Sequence, residues 1–153
     1  MRNAKKLLVC VGGVQQLPEA GVSNMRQRCS TTRSKGLEPV SEAVANGALS
    51  EATKKNKPEV FKQVKALVRS TKPLSYIAAC DALIEAKDPE YTKIQASTLL
   101  IGGFEDALAP PSALKSLASK IPHCRVEVLQ DVGHWQAVEA PEKVAALIDD
   151  FGK

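Results

Sequence analysis

The sequence has 153 residues, of which 44% are hydrophobic and 25% charged, with a formal net charge of +4, as expected for one globular domain with a sizeable core. It contains no apolar run of about 18 residues and no signal-peptide pattern, so no membrane span is expected and a cytoplasmic location is expected. Basic residues are concentrated in residues 1–72, where Phe61 is the single aromatic residue that could stack on a base. We therefore interpret them as solvated helix faces and expect neither a nucleic-acid partner nor a membrane partner.

Four cysteines are spaced too widely for a CxxC motif: Cys10, Cys29, Cys80 and Cys124. They are predicted to be reduced thiols, several of them within apolar segments, rather than a disulfide framework or a zinc site. The two histidines lack the i, i+4 spacing of a helical metal-ligand pair. No metal ion and no cofactor is expected.

The first half of the chain predicts one strand followed by helices. Leu7–Val11 is a short apolar run that ends at a glycine pair, which is typical of a buried strand. Four later segments have helical patterns: Pro18–Ser34, Leu37–Asn46, Pro58–Arg69 and Pro73–Ala86. The segment from Ser50 to Lys57 is predicted to be a polar connector.

The second half predicts two strands, each followed by a helix. Leu99–Ile101 is predicted to be a strand, after which Gly102 and Gly103 allow a tight turn. The proline pair at 110–111 begins a helix whose apolar residues recur at i, i+3, i+4 and i+7: Leu114, Leu117, Ala118 and Ile121. Arg125–Leu129 alternates as a strand, residues 130–133 form a loop, and Pro141 opens the last helix.

Two polar residues follow these two strands: Asp106 after the first and His134 after the second. Because the carboxyl ends of parallel strands meet at one edge of a sheet, we expect the two side chains to lie close together. An aspartate that orients an imidazole is two-thirds of an acyl-transfer triad. Glu105 and Asp131 compete for the acidic role. Two other interpretations stay open: Asp106 as a turn residue that caps the next helix, and His134 as a loop histidine packed by Trp135.

The second half of the chain resembles the C-terminal half of the α/β-hydrolase superfamily. The residues that carry the resemblance are Thr98–Asp106, Pro110–Pro111, Val132–Trp135 and Glu139–Glu142. Enol-lactonases and the ester or lactone hydrolases of fungal secondary metabolism look most similar. The resemblance implies that His134 is the general base of a Ser-His-Asp triad and that Asp106 is its orienting acid.

The resemblance also implies the fold class: α/β, a partial α/β-hydrolase fold with a helical cap plus about three parallel C-terminal strands and their flanking helices. Residues 1–13 would supply a sheet strand, residues 14–90 the cap, and residues 91–153 the C-terminal part of the core. In this correspondence the chain begins at the sixth strand of the sheet, so the nucleophile elbow would lie upstream.

The nucleophile of such a triad is not found in the sequence. The elbow requires Gly-x-Ser-x-Gly between a strand and a helix, and no such pentapeptide occurs. The nearest substitutes are Ser23 in Gly-Val-Ser-Asn-Met and Cys10 in Leu-Val-Cys-Val-Gly, each of which lacks one of the small residues. Ser97 and Ser112 are interpreted as the start of a strand and the start of a helix.

Three functional hypotheses follow. The preferred one is a truncated ester or lactone hydrolase that is inactive alone because its nucleophile half is missing. The second is a non-catalytic binding or scaffold protein with a role in secondary-metabolite biosynthesis, and the third is one half of a hydrolase that another chain complements. An active form would take a small-molecule ester or lactone. A second copy or a partner chain would cover the exposed edge of the sheet.

Overall fold

The fold is built on a small parallel sheet. The computed structural model of the protein describes residues 7–13 and 15–153. Within them, β2 (Ser97–Gly103) is the middle strand, bonded on one side to β1 (Leu7–Val11) and on the other to β3 (Cys124–Leu129). Both pairings are parallel. The carboxyl ends of the three strands therefore lie along one edge of the sheet.

Helices occupy most of the remaining chain. Between β1 and β2, the described residues form α1 (Glu19–Lys35), α2 (Glu38–Ala48), α3 (Glu51–Asn56), α4 (Pro58–Ser70) and α5 (Pro73–Glu85), followed by a 3-10 turn at Tyr91–Lys93. α6 (Pro111–Ala118) connects β2 to β3, and α7 (Gln136–Glu139) and α8 (Pro141–Phe151) follow β3. Proline lies in the first turn of α2, α4, α5, α6 and α8, where its missing N–H costs no helical hydrogen bond.

Alternate side chains of β2 face two different helices. Leu100 packs in a cluster with Leu114 of α6 on one face of the sheet. Leu99 and Ile101 pack with Val144 of α8 on the other. Burial of each of these side chains contributes about 1.5–3 kcal/mol. The alternation also specifies the register, because a slip of one residue would exchange the two faces.

The five helices from α1 to α5, which we call the helical region, have apolar contacts of their own. One cluster joins α2 and α4 and includes Val44 and Val64. A second joins α1 and α5 and includes Cys29 and Ile77. Trp135, which follows β3, packs against the first cluster. The chain segment after β3 therefore contacts the helical region.

The prediction of a polar connector over residues 50–57 is wrong, because Glu51–Asn56 is a helix. The Ser50 Oγ accepts a hydrogen bond from the Thr53 N–H at 3.0 Å, which is the geometry of a serine N-cap. Ser50 and Thr53 are both buried. The sequence pattern did not reveal this helix because its buried residues carry hydroxyl groups and are not apolar.

The prediction of a tight turn at the glycine pair after Leu99–Ile101 is also wrong, because both glycines are the last residues of β2. A Cβ atom at Gly103 would lie 2.1 Å from the carbonyl oxygen of Gly133, and one at Gly102 would lie 2.7 Å from the Leu114 side chain. The loop after β3 therefore approaches Gly103 too closely for any side chain, whereas a side chain at Gly102 would require the Leu114 side chain to shift.

The other predicted elements agree with the structure within a few residues, with two differences. Ile121 is buried in the expected cluster but lies beyond the end of α6, and α7 was not predicted. The prediction that the first strand is buried is wrong, because β1 is an edge strand of the described sheet and its Leu7, Leu8 and Val11 are exposed. Residues 1–6 of the predicted first segment and residue 14 lie outside the described residues, and the division of the chain at residues 13 and 90 stays a prediction.

Candidate active site

Asp106 lies in a turn beyond the carboxyl end of β2, and the residue is only 2% exposed. Its Oδ1 atom accepts hydrogen bonds from the N–H groups of Leu108 at 2.9 Å and Ala109 at 2.8 Å. The turn therefore holds the carboxylate by one oxygen. The second oxygen, Oδ2, is left for partners elsewhere in the chain.

The Oδ2 atom of Asp106 contacts His134, which follows β3. The ring Nδ1 lies 2.9 Å from this oxygen, and the Gln136 Nε2 donates to the same oxygen at 3.1 Å. Because it faces an ionised carboxylate, Nδ1 carries the proton, and the neutral ring then presents Nε2 as an acceptor. This is the tautomer that the general base of an acyl-transfer triad requires.

The surroundings of Asp106 keep its side chain ionised. Burial by itself would raise the pKa of the carboxyl. The hydrogen bonds from His134, Ala109 and Leu108, together with the charge interaction with the imidazole, outweigh burial and lower the pKa below its ordinary value. The carboxylate is therefore charged near neutral pH and can stabilise an imidazolium.

The backbone around His134 is packed against the end of α2. The His134 N–H donates to the carbonyl of Ala48 at 2.7 Å. Asp131 has a φ of 60°, in the left-handed region, and its carbonyl accepts a hydrogen bond from the Ser50 hydroxyl at 2.8 Å. A Cβ atom at Gly133 would lie 2.4 Å from the Ala48 carbonyl oxygen, so this position requires glycine. Contacts with the helical region thus fix the position of the loop that presents the histidine, residues 130–135.

A cavity of about 420 Å³ lies beside His134. It is lined by helices of the helical region and by the loops that follow β2 and β3. Most of the lining is apolar and includes Trp135, while Asn24, Arg28 and Tyr76 contribute polar groups. A cavity of this volume and character is within the range of small-molecule binding sites.

The residues considered as nucleophiles do not lie at this cavity. The candidate serines are exposed and are not among its lining residues: Ser23, Ser97 and Ser112. Cys10 packs in the apolar cluster beneath α6, and burial raises the pKa of its thiol, which disfavours the reactive thiolate. Cys80 does line the cavity, but burial and then the neighbouring Cys29 thiol raise its pKa to about 11.

The two acids that compete with Asp106 make other contacts. Glu105 is exposed, and its Oε2 accepts a hydrogen bond from the Glu51 N–H at 2.8 Å. Asp131 is exposed and meets Ser50 through its main-chain carbonyl. Of the three acids, Asp106 is thus the one that contacts the imidazole. Its other oxygen accepts the two backbone N–H groups of the turn, so the interpretation of Asp106 as a turn residue also describes one of its contacts.

Two buried polar residues of α7 were not predicted at the site. Gln136 and Glu139 are each 1% exposed. The Gln136 amide donates to Asp106, and the Glu139 carboxylate accepts hydrogen bonds from the loop that presents His134. Glu139 is part of the segment that carries the resemblance, so its place in the Glu-Ala-Pro-Glu run was a signal for it. Nothing in the sequence pattern indicated Gln136.

Neither a membrane span nor a metal site is found among the described residues. No helix there has both the length and the apolar character that a bilayer span requires. Nor do three or more His, Cys, Asp or Glu side chains come together in that part of the chain as a set that could hold a metal ion. The four cysteines are free thiols.

Solved structures of hydrolases superpose on almost the whole chain. A thermophilic esterase from Thermogutta terrifontis, with malate bound, matches with a TM-score of 0.87 and 25% sequence identity, over 95% of this chain and 54% of that one. The enol-lactonase from Burkholderia xenovorans LB400 matches with a TM-score of 0.86 and 21% identity, over 95% of this chain and 55% of that one. The chain therefore spans about half the length of these proteins.

Curated relatives match a shorter segment. Human monoacylglycerol lipase ABHD6 is 41% identical over 59 residues, which are 39% of this chain and 18% of that protein. The 2-hydroxymuconate semialdehyde hydrolase of Pseudomonas putida is 39% identical over 54 residues, which are 35% of this chain and 19% of that protein. No protein-family profile matches the sequence.

The parallel sheet, the helices on both of its faces and these matches identify the chain as a partial α/β-hydrolase fold, consistent with the C-terminal half of that fold. The fold class expected from the sequence is confirmed. The catalytic roles of Asp106 and His134 are not tested by the fold or by the matches, and they stay predictions.

Proposed function

We propose that Asp106 and His134 are the acid and the general base of a site that hydrolyses an ester or a lactone. We further propose that the chain is inactive alone and acts with a nucleophile from another segment. The observation that carries the proposal is the 2.9 Å contact between the buried carboxylate and the imidazole Nδ1, beside an apolar cavity.

The geometry suits a base that both accepts and returns a proton. The His134 Nε2 would take the proton of an attacking hydroxyl as it adds to the carbonyl carbon, and would then pass it to the leaving oxygen. Asp106 would stabilise the imidazolium between these steps. Its hydrogen bonds to Leu108, Ala109 and Gln136 hold it in place for this role.

The substrate class is supported by the cavity and by the similar proteins. A volume of about 420 Å³ with a mainly apolar lining fits a small acyl group. The similar proteins include an esterase, an enol-lactonase and a lipase. The helical region would act as a cap, because it supplies most of the cavity lining and would exclude water from the reaction.

The location and partners of the chain belong to the same proposal. Four free thiols fit a reducing compartment such as the cytoplasm. The exposed apolar residues of β1 fit an edge that a second copy or a partner chain covers.

The test uses the chain alone and a chimaera. In the chimaera, the part of the Thermogutta esterase that the match leaves uncovered is joined to this chain. The chain alone should neither turn over a chromogenic short-chain ester nor react with a serine-directed phosphonate. The chimaera should turn over the ester. His134→Ala should reduce its kcat by about a thousandfold or more, and the matched control His123→Ala should not.

Two results would contradict this proposal. Labelling of Ser23 or Cys10 in the chain alone would show that a nucleophile is already present. Undiminished turnover by the His134→Ala chimaera would show that the histidine is not the base.

A second candidate is a non-catalytic binding protein, which the cavity beside Trp135 favours. Because Trp135 is the single tryptophan of the chain, its fluorescence reports ligand binding directly. Saturable binding of a small ester that His134→Ala leaves unchanged, together with an inactive chimaera, would favour this role over hydrolysis.

A further inference from the structure

Glu139 is a buried ionisable residue that the proposed chemistry does not use. The residue is 1% exposed, and burial of a carboxylate is unfavourable unless several donors compensate it. The Lys57 ammonium donates to the main-chain carbonyl of Glu139, at 2.9 Å, and not to the carboxylate. Among the described residues, the donors that compensate the carboxylate are three backbone N–H groups.

These three donors belong to two different parts of the molecule. The Glu139 Oε1 accepts hydrogen bonds from the N–H groups of Gly133 at 3.0 Å and Trp135 at 3.3 Å, the residues on either side of His134. The Oε2 accepts a hydrogen bond from the Ser50 N–H at 2.9 Å, where the helical region passes from α2 into α3. One carboxylate therefore joins the histidine loop to the helical region.

Two further contacts restrain the same boundary. The His134 N–H donates to the Ala48 carbonyl at 2.7 Å, and the Ser50 hydroxyl donates to the Asp131 carbonyl at 2.8 Å. In both contacts the atom that the histidine loop contributes is a main-chain atom, the His134 nitrogen in the first and the Asp131 carbonyl oxygen in the second. The contacts therefore set the path of the backbone that carries the imidazole, and the ring position follows from that path.

We propose that Glu139 is a positioning residue, which holds the His134 loop so that the imidazole meets Asp106 only while the Ser50 segment is docked. The carboxylate acts through the backbone and does not touch the ring. The importance of this coupling for catalysis rests on the proposed function of His134, whereas the coupling itself is a property of the fold.

Two substitutions separate this role from simple filling of the core. Glu139→Gln keeps the size of the side chain but replaces one acceptor oxygen with an NH₂ donor, which must then face a backbone N–H. Glu139→Asp keeps the charge but is one methylene too short to reach both parts. The matched control is Glu142→Gln, which removes the same charge from an exposed residue of α8.

The readout is the pair of ¹⁵N chemical shifts of the His134 ring, which report which nitrogen carries the proton. We expect the Nδ1–H tautomer to dominate in the wild-type chain and in Glu142→Gln. In Glu139→Gln and Glu139→Asp we expect a shift toward a mixture of the two tautomers. Ring shifts equal to those of the wild type in both folded Glu139 variants would overturn the proposal. If the carboxylate were merely structural, its replacement would lower Tm without changing the His134 tautomer. A mixture of tautomers in the wild-type chain would also overturn it.

A second measurement does not depend on the variants folding. In hydrogen exchange of the wild-type chain, the N–H groups of Ser50 and Gly133 should have similar protection, because both are released when Glu139 leaves its place. Exchange at Ser50 that is more than about tenfold faster than at Gly133 would show that the segment undocks without the loop, and would overturn the coupling.

The two proposals fail in different ways. The ring shifts and the exchange rates need no turnover, so an inactive chimaera contradicts the proposed function and leaves the positioning result intact. Unchanged ring shifts contradict the positioning role and leave hydrolysis possible.

Discussion

Replacing Asp106 tests the buried carboxylate most directly. Asp106→Ala removes the acceptor of four donors, and two of these, the Ala109 N–H and the Gln136 amide, lie in buried contacts. A buried donor that loses its acceptor costs about 1–3 kcal/mol, so Asp106→Ala should lower the free energy of unfolding by about 2–6 kcal/mol. Asp106→Asn should cost only about 1–2 kcal/mol, because its amide oxygen keeps both backbone N–H bonds. The Gln136 amide can then turn its oxygen toward the new NH₂ group, and the imidazole proton can move from Nδ1 to Nε2.

The assay is urea unfolding followed by Trp135 fluorescence, with Asp149→Asn as the matched control. Asp149 is exposed on α8, so this control should stay within about 0.5 kcal/mol of the wild type. A loss below about 1 kcal/mol for Asp106→Ala would refute the estimate from unsatisfied donors. Retention of the Nδ1–H tautomer of His134 in Asp106→Asn, read from the ring ¹⁵N shifts, would refute the argument that the Asp106 carboxylate determines which ring nitrogen carries the proton.

The difference in unfolding free energy between the wild type and Asp106→Asn should depend on pH with a defined sign. The pKa of Asp106 is lower in the folded chain than its ordinary value of about 3.9. The stability that this carboxylate contributes is therefore fully present above the unfolded pKa and is lost as the pH falls through the lowered folded pKa. The advantage of the wild type over Asp106→Asn should shrink as the pH falls below about 4. An advantage that grows on acidification would contradict the lowered pKa.

Three smaller predictions concern packing and thiol chemistry. Gly133→Ala should destabilise the chain by about 1–3 kcal/mol or more in thermal unfolding, because the new Cβ would lie 2.4 Å from the Ala48 carbonyl oxygen. Gly47 lies inside α2, and an added Cβ atom there would have no atom within 4 Å, so Gly47→Ala should stabilise the chain by about 0.5–1 kcal/mol. Equal effects of Gly133→Ala and Gly47→Ala would contradict the close contact at Gly133. Thr32→Val should be neutral or stabilising by up to about 1 kcal/mol, since the buried Thr32 Oγ1 has no hydrogen-bond partner among the described residues; a clear loss in urea unfolding would count against this. Cys80, whose pKa burial raises to about 11, should react with iodoacetamide at pH 8 far more slowly in the native than in the denatured chain, and equal rates by mass spectrometry would exclude a buried thiol.

Local signals in the sequence were sufficient for most helices and strands. Prolines marked the first turns of α4 and α5, and apolar spacing indicated the core-facing side of α6, because helix starts and buried faces depend on near neighbours. The same reasoning placed Asp106 and His134 after two strands whose carboxyl ends share an edge of the sheet.

Contacts between distant segments explain where this reasoning was wrong. Glycines after an apolar strand usually indicate a turn, but Gly103 continues β2 through its pairing with Leu129 of β3. The residue is glycine because the loop after β3 leaves no room for a Cβ atom. The polar residues of α3 gave no apolar pattern, and the helix is supported by Ser50, whose hydroxyl also donates to the carbonyl of Asp131.

The sequence by itself determined the α/β character of the chain, the order of all its helices and strands except α3 and α7, and the two residues that follow its last strands. Only the tertiary structure decided that the Asp106 carboxylate divides its oxygens between a turn and the His134 ring, and that Glu139 joins the histidine loop to the Ser50 segment. The reason is physical: these hydrogen bonds join residues far apart in the chain, and each depends on how several packed elements bring backbone groups together, which no local pattern of side chains specifies.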